Sequence, residues 1–122
     1  AMSPHDDACE REIRARLDAM RAAMNDTRGS VRVNVEDFSS SPYRTGGTPW
    51  TASVSIDGGT RLREAIHSYA CFYARTAREA TDQLLAYLDA RFEARRVQVA
   101  AELANVRASA EAWEAGAPAW SK

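Results

Sequence analysis

The chain has 122 residues, 45% of them hydrophobic and 27% charged, and its 16 basic and 17 acidic side chains leave a net charge of −1. That length suits one domain, residues 1–122, with a modest core. The charge balance excludes a global field steering the chain toward nucleic acid or an anionic membrane, and no apolar run reaches the roughly 20 residues of a membrane span.

Lys122 is the one lysine; every other basic residue is arginine. Cys9 and Cys71 lie far apart with no CxxC spacing, which predicts two reduced thiols in a cytoplasmic protein. The polar, acidic start SPHDDACERE is not a signal peptide. Ala1 in front of Met2 reads as a cloning residue, with Met2 the expected native start.

Residues 1–5 are expected to be loose, and the helix predicted over 6–25 opens on Asp6 and Asp7, where a helix N-terminus favours negative charge. Its apolar residues Ile13, Leu17, Met20 and Met24 recur at spacings of 4, 3 and 4, a narrow stripe. The segment 30–38, SVRVNVEDF, alternates, with Val31, Val33 and Val35 on one side and Arg32, Asn34 and Glu36 on the other. WTASVSID at 50–57 does the same with Ala52, Val54 and Ile56 inward. Both read as half-buried strands. The polar loop 38–49 between them is long for a hairpin, and loops of that length are often functional or disordered.

The stretch 61–74, RLREAIHSYACFYA, fits two readings. Leu62, Ile66, Tyr69 and Tyr73 are spaced as on a helix, while Tyr69, Cys71, Phe72 and Tyr73 favour a pleated surface. We take a strand over 66–74, apolar on both faces and hence the most buried of the three, with 60–65 a lead-in loop or irregular strand extension. Thr76 and Glu79 form a capping box that starts a new helix.

From Thr76 to Ala115 there is neither Gly nor Pro, so one helix is predicted over 76–115, followed by a tail at 116–122. Such a helix is roughly 60 Å long, about twice the width of a globule of this size. Its first part offers a broad apolar face of Ala77, Ala80, Leu84, Leu85, Tyr87 and Leu88, suited to covering a sheet. Its second part narrows to Phe92, Val99, Leu103, Val106, Ala110 and Trp113, heptad-like from Val99 onward. Arg95 and Arg96 interrupt that seam. The helix either bends there and folds back or pairs along its second part with another chain.

The fold class is therefore α+β, in α-β-β-β-α order: a three-stranded antiparallel sheet packed by an N-terminal helix and a long C-terminal helix. In topology this order resembles that of double-stranded-RNA-binding domains, although Ala77-Arg78-Glu79-Ala80 stands where those domains carry a lysine cluster. The stretch Tyr73-Ala74-Arg75-Thr76-Ala77-Arg78-Glu79-Ala80 is similar to the strand-to-helix junction of HicB-type antitoxins.

No catalytic constellation is legible. His67 and Cys71 would be neighbours only on a helix, and no third group is at hand to orient a base. The Thr45-Gly46-Gly47-Thr48 loop lacks the GK[ST] of a phosphate cradle, and no zinc spacing exists. No cofactor or metal is expected. The candidate partner-binding residues are Val99, Leu103, Val106 and Trp113 on the seam, Tyr43, Arg44 and Trp50 at the loop, and Arg91, Arg95 and Arg96 on the long helix. They predict a homodimer that binds a protein target: a small, non-enzymatic regulatory, accessory or inhibitory factor of bacterial origin. Size and lack of motifs suggest a phage or mobile-element gene. The alternative is a nucleic-acid-binding regulator using the arginines, with Tyr43 or Trp50 stacking on bases.

Overall fold

The computed structural model describes residues 4–26, 28–39, 47–58 and 61–116. The chain forms α1 (Asp7–Ala23), β1 (Ser30–Asp37), β2 (Trp50–Asp57), α2 (Arg61–Ile66), β3 (Tyr69–Ala74) and α3 (Ala77–Gly116). The strands make one antiparallel sheet in the order β1-β2-β3. The α+β order read from the sequence is the observed one. By contacts the chain divides into two units, Ala1–Phe92 and Glu93–Lys122; the sheet, α1, α2 and the first part of α3 belong to the former.

The core of this first unit follows from the periodicities. Cys9, Ile13, Leu17 and Met20 form the buried stripe of α1. Val33, Val35, Ala52, Val54, Ile56, Ala70 and Ala74 line the inner sheet face. Leu62, Ala65 and Ile66 of α2 join them, as do Ala77, Ala80, Thr81, Leu84, Leu85 and Leu88 of α3. Register places Val33 beside Val54 and Val54 beside Ala70, so one row of the inner face crosses all three strands. Two ion pairs tie α1 to α3. Arg78 reaches Glu12 at 2.7 Å while also holding Asp82, and Arg16 holds Asp89. Both arginine pKa values are raised, Arg78 chiefly by Glu12 and Arg16 chiefly by Asp89.

Thr81 is a polar intruder: its Oγ1 is buried without a hydrogen-bond partner. Cys9 lies beside it, with a thiol pKa raised chiefly by burial and lowered in part by Thr81, but a thiol is a weak donor. Thr81→Val should therefore stabilise the fold by about 1 kcal/mol, read as a higher urea midpoint at unchanged slope.

Three sequence expectations change. Residues 61–66 are a helix, not a lead-in loop, and the third strand starts at Tyr69 rather than residue 66. Leu62, Ala65 and Ile66 share one buried helical face, which rewards a turn of helix over an extended chain. His67 closes α2 in the left-handed region (φ 68), its N–H bonding to the Arg63 carbonyl at 2.9 Å, so the strand cannot include it. Nor is β3 the most buried strand. It is an edge strand, with Tyr69 62% and Tyr73 52% exposed, while the central strand is β2. Finally, the residues just before α1 are not loose. Asp37 N–H donates to the Pro4 carbonyl at 2.7 Å and Asp6 N–H to the Val35 carbonyl at 2.9 Å. His5 bridges Glu36 in this short ladder, with its ring against Glu10 at 3.0 Å.

The helix ends explain why α2 exists. Asp6 and Thr76 cap α1 and α3, accepting from the N–H of Cys9 and Glu79 at 3.0 and 3.1 Å. After α1, Asn25 takes a positive φ of 53 and Asp26 N–H closes back on the Arg21 carbonyl, a Schellman-type stop. Asp26 then offers its carboxylate to Leu62 N–H at 3.1 Å, capping α2 from a distance, while Arg61 donates to the Met24 carbonyl at 2.8 Å. The ends of α1 and α2 thus satisfy one another. Asp26→Ala should cost about 1 kcal/mol of stability, checked by urea unfolding.

Candidate functional site

Two surfaces of the molecule are unusual. The first is the C-terminal part of α3. This helix is unbroken through Arg95 and Arg96, and no residue from 96 to 116 is buried. Val99, Leu103, Val106 and Trp113 are 37%, 51%, 64% and 62% exposed. Val97, which the heptad reading passed over, is exposed as well. Spacings of 4, 3 and 7 set the four seam residues along one stripe of the helix.

The arginines near this stripe are already engaged. Arg96 holds Glu93 through two hydrogen bonds of 2.9 and 2.7 Å, which keep the Glu93 pKa below its usual value. Arg95 donates to Gln98 Oε1 at 3.1 Å. Arg91 donates to the Ala65 carbonyl at 3.2 Å and lies 2.8 Å from His67 Nε2. Tyr87 adds a hydrogen bond to the Ile66 carbonyl at 3.1 Å. Arg91 and Tyr87 therefore satisfy the carbonyls at the C-terminus of α2, a role that nothing in the local sequence announces. The His67 ring meets Arg91, and Cys71 lies in a different element.

The loop candidates divide. Trp50 sits on the inner side of β2, between Asp37 and Ala74 in register, and packs against the core. Tyr43 and Arg44 lie outside the described residues.

The second surface is the outer face of the sheet. In register it carries Arg32, Ser55 and Tyr69, then Asn34, Ser53 and Cys71, then Glu36, Thr51 and Tyr73. The Tyr69 phenol pKa is raised, chiefly by the neighbouring Cys71 thiol and then by burial. Phe72 points the other way, its ring centroid 5.5 Å from that of Tyr87.

Among the described residues no group of His, Cys, Asp and Glu is placed to hold a metal ion, and no helix is long and apolar enough to cross a membrane. A surface depression lined by Arg14, Leu17, Asp18, Arg21 and Val31 holds about 110 Å³, well short of the roughly 300 Å³ at which small-molecule pockets begin. Comparison of the chain with protein-family models, with curated proteins and with solved structures found no match.

Proposed function

We propose that this protein is a small cytoplasmic regulatory, accessory or inhibitory factor of bacterial origin that binds other proteins, performs no catalysis, and works as a homodimer joined through residues 99–113. The observation that carries the reading is the exposed stripe of Val99, Leu103, Val106 and Trp113 on a helical segment without one buried residue. A helix in water owes most of its stability to packing of an apolar face, and a contiguous apolar stripe marks an interaction site. Glu102 and Arg107 support a second copy as the occupant. They flank the stripe five residues apart, the offset at which edge positions of parallel paired helices meet, and neither makes an ion pair among the described residues.

Sedimentation equilibrium tests this. The intact chain should self-associate, and a Leu103→Glu, Val106→Glu variant should lose the association made through residues 99–113 and sediment at lower mass. The same compact monomer for both would overturn the reading.

A nucleic-acid-binding regulator is the second reading. It is favoured by Tyr69 and Tyr73, exposed on the same sheet face as the exposed Arg32. A gel shift that fades steeply with salt would support it; no shift with any nucleic acid at low salt would remove it.

A further inference from the structure

The two edges of the sheet are treated differently. The β1 edge is occupied by Pro4–Asp6, and β1 itself carries Arg32, Glu36 and Asp37. The β3 edge, YACFYA, carries no charge, no proline and no glycine. Edge strands in natural sheets are ordinarily guarded by such features against pairing with another chain.

The direction of its backbone groups follows from one bond. Ile56 N–H donates to the Ser68 carbonyl at 2.8 Å. Bonded pairs in an antiparallel ladder recur at every second residue, so Ala70, Phe72 and Ala74 face β2 through their backbones. Tyr69, Cys71 and Tyr73 direct theirs to the outer edge.

We propose that β3 pairs antiparallel with β3 of a second copy, about a two-fold axis at Cys71, joining the two sheets into one of six strands. That register sets Cys71 opposite its own copy, Tyr69 opposite the partner's Tyr73, and Ala70 opposite the partner's Phe72. The inner row then matches small against large, and the outer row pairs aromatic with aromatic, a favourable cross-strand combination. A strand that pairs with itself brings any charge against a neighbour it cannot choose. β3 has none, whereas β1 and β2 each have at least one. The pairing lies in Ala1–Phe92 and is independent of residues 99–113, which lie in the other unit. Two different two-fold contacts build assemblies beyond a dimer unless the same two copies make both.

The experiment uses the full chain carrying Leu103→Glu and Val106→Glu, which removes the helical seam and leaves β3 intact. A short bismaleimide is added; each end takes up one thiol across its double bond. Cys71 is partly exposed and Cys9 is buried, so Cys71 is the thiol that reacts. The expected result is a covalent dimer on a denaturing gel, absent from Cys71→Ser. Tyr69→Lys with Tyr73→Lys, which sets like charges opposite one another twice, should reduce the yield about tenfold. Tyr69→Lys with Tyr73→Glu should restore it. Both positions are exposed, and a thermal melt verifies that each variant is folded. A monomer in the parent variant, or a yield indifferent to the charges, overturns the proposal. Loss of the seam dimer with the cross-link retained separates the two contacts.

Discussion

With Leu103 and Val106 both replaced by Glu, the sedimenting mass is expected to fall, as the association through residues 99–113 is lost, and the far-UV signal to lose helix. The two residues lie at the centre of the stripe and are 51% and 64% exposed in the single chain, so the substitutions cost the isolated chain little. Burying two unpaired carboxylates in a paired seam costs several kcal/mol per ion, enough to dissociate a micromolar dimer, whose total binding free energy is about −8 kcal/mol. The loss of helix should be confined to the second unit. A segment of some 20 residues with no packed face is marginal in water, whereas the first unit keeps its core and its unfolding transition. A chain that stays associated with unchanged helicity would show that residues 99–113 do not hold the copies together.

Leu84→Ala is the substitution expected to harm the fold most. Leu84 is fully buried on α3, within the core that α1, α2 and the sheet share. Truncating it removes three methylene-sized groups and leaves a cavity that the surrounding helices and sheet can close only in part, at a cost of about 3 kcal/mol. For a domain of this size that is a large share of a total of roughly 5–15 kcal/mol. The urea midpoint should drop with the slope unchanged. Because Leu84 lies in the first unit, self-association through 99–113 should survive wherever the chain is folded. A loss below about 1 kcal/mol would mean that the site collapses around the smaller side chain.

What was legible in the sequence was whatever repeats. The stripe of α1, the alternation of β1 and β2 and the broad face of α3 each extend over enough residues to display a period. The six residues of α2 do not, and the spacing of Leu62 and Ile66 merges into the longer run that ends in β3. The left-handed turn at His67 that separates the two elements carries no glycine or asparagine to announce it. β3 was misplaced for a different reason. Aromatic residues on both faces read as burial, but Tyr69 and Tyr73 stand on an edge strand with one side open. The docking of Pro4–Asp6 onto β1 runs through backbone groups, which every residue has and no side chain advertises. As for the candidate site, the apolar stripe was visible because its spacing is helical. The occupation of Arg91 was not: a cation can be read from the chain, but the carbonyls at the end of α2 that it meets depend on how the chain folds. Trp50, named as a partner-binding residue beside the loop, is an inner-face residue, since the alternation that turns Ala52, Val54 and Ile56 inward turns Trp50 inward as well.

α2 is too short to persist by itself, since the first turn of a helix is the costly one. Its beginning is held by Asp26, from the stop of α1, and its end by Tyr87 and Arg91 of α3. It therefore works as a crosspiece. Fraying at the end of α1 releases one terminus of α2, and movement of α3 near Arg91 releases the other. Amide exchange in α2 is thus tied to both helices at once, and the first unit opens as one cooperative block rather than shedding its smallest element first.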